Sequence, residues 1–120
     1  MAIGALDIIK LYMLGFGLSF IIQSIFQGWF AKHSYWKRNI GWQNEIAIWN
    51  LGMITILYGV TKNLVSATFE VLLGLFILSL LFFLNHTSAL FKAKYPLSNL
   101  MGSAINLIGI TLILLHWIDK

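Results

Sequence analysis

The sequence predicts an all-α, polytopic integral membrane protein, a bundle of four transmembrane helices, and three observations predict it. Of 120 residues, 59% are hydrophobic and only 10% are charged, against about 25% charged in ordinary soluble domains. The mean hydropathy is +0.84. The apolar residues also fall into four stretches, each close to the ~20 residues a helix needs to cross about 30 Å of hydrocarbon. Four such helices use most of the chain, so the sequence reads as one domain, 1–120, with no room for a separate soluble catalytic domain. The absence of cysteine excludes a disulfide framework, a thiolate metal site and a Cys nucleophile. The formal charge of +4 is thinly spread and fits orientation signals beside spans rather than a nucleic-acid footprint.

The first span, 11–31, is free of charge over LYMLGFGLSFIIQSIFQGWFA. Asp7 and Lys10 precede a full-length span, unlike the basic start and shorter apolar stretch of a cleaved signal peptide, so the sequence predicts a retained N-terminus. The following KHSYWKRNIGWQNE mixes basic and aromatic residues, a composition suited to the headgroup level. The second span, 44–61, places Glu45 in its first turn, where the helix dipole favours an acid. Lys62 and Asn63 form a tight turn, and the third span, 65–84, carries Glu70 and the run VLLGLFILSLLFFL. Pro96 opens the fourth, 97–117, because proline suits the first position of a helix. Four spans put both termini on one side. The loops 32–43 and 85–96 hold Lys32, Lys37, Arg38, Lys92 and Lys94, against Lys10, Lys62 and Lys120 on the terminal side, which predicts that the loops face the cytoplasm.

Polar side chains inside hydrocarbon need partners, so they mark the inward faces of the spans. Gly15, Ser19, Gln23 and Gln27 recur every four residues down one face of span one. Asn99, Ser103 and Asn106, with Gly102 and Gly109, mark a similar face of span four. Both read as helix-packing or assembly seams, or as the two walls of a polar pocket or proton path between spans one and four. Glu45 stands with Gln43, Asn44, Trp49 and Asn50 in the densest polar cluster of the chain. There it can bind a cation or an amine headgroup, relay protons, or pair with Lys37 or Arg38. Glu70 shares a face with Gly74, Ile77 and Leu81, and either reaches towards Lys62 or turns into the bundle. His86 ends span three beside Asn85, near the level of Asn99, where a histidine caps a helix C-terminus. The three histidines form no pair at ligand spacing, so no metal site is predicted. No cofactor motif, catalytic triad or phosphate-cradling glycine loop is evident.

The order WQNEIAIWNLGMITILYG, then a span ending at His86, then a basic loop and a fourth apolar span resembles an uncharacterised family of small four-helix bacterial membrane proteins, broadly DoxX-like. The resemblance covers residues 41 to 110 and rests on Glu45, on Asn50, Leu51 and Gly52, and on His86. It implies a bacterial inner-membrane bundle, in a wider group associated with accessory roles beside quinone-linked oxidoreductases.

The functional expectation is a non-enzymatic accessory subunit or ligand-binding module that assembles, as a homo-oligomer or with a larger membrane protein, through the polar faces of spans one and four. Glu45, Asn44, Trp49, Asn50, Glu70 and His86 are its candidate ligand-binding or proton-carrying residues. A lipid or a quinone is the candidate ligand. The alternatives are a proton-coupled or quinone-linked redox accessory using Glu45 and Glu70, and a small membrane enzyme.

Overall fold

The computed structural model describes residues 3–63, 68–92, 94 and 96–120. Among them the chain is all-helical, with five helices and no strand: α1 (Ala5–Ser24), α2 (Gln27–Lys32), α3 (Ile40–Thr61), α4 (Thr68–Lys92) and α5 (Leu97–Ile118). α1, α4 and α5 are long and apolar enough to cross a membrane. The molecule is 41 Å long, close to the 40–45 Å of a bilayer with its headgroups. α3 has the length of a span, 22 residues, but Gln43, Asn44, Glu45 and Asn50 make its first half polar.

Several boundaries differ from those read in the sequence, each for a local reason. The first span is two helices rather than one, broken at Ile25 and Phe26. The Ser24 hydroxyl bonds back to the Phe20 carbonyl at 2.6 Å, and the Phe26 N–H reaches five residues back to Ile21 at 3.4 Å. Such wide turns interrupt an α-helix without proline. α3 starts at Ile40 because Asn39 caps it, its side chain accepting the Trp42 N–H at 3.1 Å. Glu45 therefore stands in the second turn and not the first. α4 continues to Lys92, so His86 lies within the helix and does not cap its end, and residues 85–92, expected in a loop, are helical. Asn63 closes α3 with φ 58°, a left-handed conformation that asparagine tolerates. Val65, where the third span was expected to begin, lies outside the described residues.

α3 packs chiefly on α1, and α4 on α5; α1 links the two pairs. The hydrophobic core sits at the end that carries the chain termini. Ile8 and Ile9 of α1, Leu57 and Val60 of α3, Leu72 and Leu75 of α4 and Ile113 of α5 meet there, all nearly or fully buried. Next to this core the Tyr12 and Ser79 hydroxyls lie 2.6 Å apart and join α1 to α4. The outer faces stay apolar and exposed, among them Leu14, Leu18 and Ile21 of α1 and Leu107 and Ile108 of α5. A soluble monomer rarely exposes apolar surface so continuously; a bilayer is the medium that accommodates it.

Candidate functional site

Two polar clusters form within the bundle. The first gathers at the loop end, where residues 33–36 meet α4 and the start of α5. Gly102 has no side chain, so the His86 ring lies directly on the α5 backbone; a Cβ there would stand 2.5 Å from ring Cε1 and Nδ1. The Trp36 ring packs edge-on against His86 with centroids 5.0 Å apart. Asn99 is completely buried. Its Oδ1 accepts the Tyr35 backbone N–H at 2.7 Å and, more weakly, the Ser34 hydroxyl at 3.4 Å. That turns its amide NH₂ towards His86, where it donates to Nδ1 at 3.3 Å. Neutral His86 therefore carries its proton on Nε2. The Ser98 N–H donates to the His33 carbonyl at 2.8 Å, its hydroxyl donates to the same carbonyl, and the Thr87 and Ser103 hydroxyls are 3.0 Å apart. These bonds stitch the loop and α4 to α5 and occupy His86 Nδ1 with an amide rather than a carboxylate, so the cluster lacks the histidine–acid pair of a general base.

The second cluster runs along the α1–α3 seam. Asn50 Nδ2 donates to the Ser19 hydroxyl at 2.7 Å. The break after Ser24 lets Gln27 bridge the helices, its Nε2 donating to the Gln23 carbonyl and to Asn44 Oδ1, both at 2.8 Å. Gln43 Nε2 returns a bond to the Gln27 carbonyl at 3.2 Å. Gln23 and Gln43 are each only 5% exposed, yet the Oε1 of each has no partner among the described residues. An unpaired buried acceptor costs about 1–3 kcal/mol. Gln23→Leu, nearly isosteric and without that acceptor, is expected to hold or raise stability by about 1 kcal/mol in unfolding measured in micelles. Asn50→Leu, which removes a made bond, is expected to lower it.

The polar stripe of span one thus turns to α3, not to α5. Gly15 has open space where a side chain would lie. On α5, Asn99 and Ser103 turn to the loop and α4, and Asn106 bonds to the Gly102 carbonyl of its own helix at 2.8 Å. The structure brings together Ser19 with Asn50, Gln23 and Gln27 with Gln43 and Asn44, and Asn99 with His86. It does not bring the faces of spans one and four together as two walls of a pocket.

Glu45 is exposed on the α3 flank away from α1, and it makes no ion pair with Lys37 or Arg38; the one ion pair among the described residues is Lys10 with Asp7 at 4.0 Å. With Trp49, which is 60% exposed, it lines a shallow groove of about 390 Å³ together with Ile48, Gly52, Met53 and Ile56. Glu70 is also exposed, on the outward face it shares with Gly74, Ile77 and Leu81, and does not turn into the bundle. It starts α4 at the opposite end from Glu45, roughly 24 Å away along α3 at about 1.5 Å per residue, so the two carboxylates share no site.

Sequence reasoning passed over Tyr12, Ser79 and His116. All three continue an inward face at a seven-residue step, Tyr12 before Ser19, Ser79 before His86 and His116 after Gly109, and that spacing is the signal that could have found them. No group of three His, Cys, Asp or Glu among the described residues could hold a metal. No protein family, curated protein or solved structure matches the chain.

Proposed function

We propose that the chain is a four-span membrane protein, α3 crossing the bilayer with α1, α4 and α5, and that it serves without catalysis as an accessory subunit or ligand-binding module for a second membrane component. The observation that supports this is Glu45. Its carboxylate heads an apolar groove on the side of α3 that α1 leaves uncovered, without an ion-pair partner among the described residues. A carboxylate at headgroup level is best used on a cation, here a Lys or Arg of a neighbouring chain or an amine headgroup, with the Trp49 indole one turn away to cover it. Assembly through Gly15, Ser19, Gln23 and Gln27 or through Asn99, Ser103 and Asn106 is the other form of this reading. The polar groups of those faces bond inside the chain, which favours the α3 groove over them as the docking face. The resemblance to small four-helix bacterial membrane proteins supports an inner-membrane location, and the excess of Lys and Arg at 32–43 and 85–96 supports those segments facing the cytoplasm.

The test is native mass spectrometry of the protein extracted gently from its own membrane. The wild type is expected to carry a stoichiometric second protein, a second copy or an amine lipid. Glu45→Gln is expected to weaken that association about three- to tenfold, in the range of one partly desolvated ion pair, and Glu45→Lys to abolish it. Association unchanged in both variants, or a bare wild-type monomer, would overturn the proposal.

A further inference from the structure

At the opposite end of the bundle from Glu45, His116 is held in a defined state. Its Nδ1 lies 2.7 Å from the Ile3 carbonyl. A carbonyl can only accept, so Nδ1 carries the proton and, in the neutral ring, Nε2 presents a bare lone pair. His116 is 6% exposed, and Nε2 is buried with no partner among the described residues. The residue also lines a cavity of about 340 Å³, shared with Thr68, Phe69, Leu72, Trp117 and Lys120. A buried acceptor that a second bond orients and that stays unpaired calls for a partner, and the cavity that His116 lines is the nearest space for one.

The lining defines what enters. Among the described residues Lys120 is its one charged group, and Glu70 and Asp119 are outside it, so an anion is favoured and a cation is not. His116 Nε2 requires a hydrogen-bond donor. Phe69, Leu72 and Trp117 supply an apolar wall, with the Trp117 ring 5.8 Å from Phe69 and 5.6 Å from Phe76. Tryptophan and lysine at the end of α5 mark the headgroup level of a span. The volume lies at the low end for small-molecule sites, enough for a headgroup while acyl chains remain against the outer helix faces. A metal is disfavoured by Lys120 and by the absence of further ligands among the described residues.

We infer that this cavity binds the headgroup of an anionic phosphodiester that also carries a hydroxyl, the hydroxyl donating to His116 Nε2 and the phosphate charge facing Lys120. The site is distant from the Glu45 face, so its test succeeds or fails independently of the proposal made there. The discriminating pair of probes is phosphatidylglycerol and phosphatidylmethanol, which have the same charge and the same diester but differ in the hydroxyls. In titrations of the whole protein followed by native mass spectrometry, the wild type is expected to bind phosphatidylglycerol at least threefold more tightly. His116→Phe is expected to bring the two lipids to parity. Lys120→Gln is expected to weaken both by a similar factor and to keep the preference.

Equal binding of the two lipids by the wild type would overturn the inference without any variant. Because His116→Phe also removes the bond to Ile3, the same point is read in the wild type by ¹⁵N NMR. The His116 Nε2 resonance is expected to shift with phosphatidylglycerol and not with phosphatidylmethanol, and a resonance unmoved by phosphatidylglycerol would refute the contact. Soluble glycerophosphoglycerol separates the two sources of this chemistry. Displacement of the lipid at a comparable ratio assigns the site to the free headgroup, and failure to displace it assigns the site to the lipid.

Discussion

Gly109→Ala is expected to destabilise the protein by about 1–3 kcal/mol, the range for forcing a methyl into a packed core. A Cβ at this position would run into the hydroxyl and ring of Tyr12 and stand 3.3 Å from the Ser79 hydroxyl. Neither neighbour gives way freely, because the two hydroxyls hold each other at 2.6 Å. Swinging Tyr12 aside breaks the bond that ties α1 to α4 beside the core of Ile9, Leu75 and Ile113. The Tyr12 hydroxyl is the nearest atom, so Tyr12→Phe in the Gly109→Ala background is expected to recover part of the loss. Tyr12→Phe alone is expected to cost about 0.5–1.5 kcal/mol for the missing hydrogen bond. The readout is unfolding in mixed micelles by tryptophan fluorescence across the four variants of the cycle, and the expected result is non-additivity in the favourable direction. Simple additivity would mean that Tyr12 does not lie over Gly109.

Asn99→Leu is expected to cost about 2–3 kcal/mol, because it leaves the Tyr35 N–H without its acceptor and breaks the link to His86, and a buried group left unpaired loses more than a hydrogen bond is worth when made. Asn99→Asp separates the two bonds. It keeps an oxygen for Tyr35, and His86 can answer the second oxygen by moving its proton to Nδ1, so this variant is expected to lose much less. Hydrogen exchange locates the effect: the Tyr35 amide is expected to exchange faster in Asn99→Leu and to stay protected in Asn99→Asp. Protection of Tyr35 unchanged in the leucine variant would remove Asn99 as the anchor of the loop. The consequence reaches beyond stability, since residues 33–36 are held on α5 by Asn99 and Ser98 and carry Trp36 onto His86.

How much of this was legible in the sequence depended on the range of the interaction involved. The start of α5 was legible at Pro96, and the turn after α3 at Lys62 and Asn63, because proline and asparagine act on their own backbone. The break at Ile25 and Phe26 was not, since no proline or glycine marks it and Ser24 resembles any helical serine until its hydroxyl turns back on Phe20. The continuation of α4 through His86 was missed because NHTSALFK is polar enough to pass for a loop. Yet it contains no breaker, and the chain has none until Pro96.

The candidate site divides in the same way. The four-residue spacing of Ser19, Gln23 and Gln27 marked a face that turns inward, and the grouping of Asn99, Ser103 and Asn106 marked another. Periodicity places residues on a face but carries no information about which helix that face meets. Only the tertiary structure decided that Ser19 finds Asn50, that Gln27 finds Asn44 and that Asn99 finds His86 and the loop. It likewise decided that Glu45 and Glu70 stay outside, and that His116 is left with a buried, unpaired nitrogen. The sequence by itself determined the medium and the helical class, because hydropathy and the need to satisfy every backbone group in lipid are properties of each segment alone. The pairing of the polar side chains belongs to contacts between segments distant in the chain, and those exist only once the helices have packed.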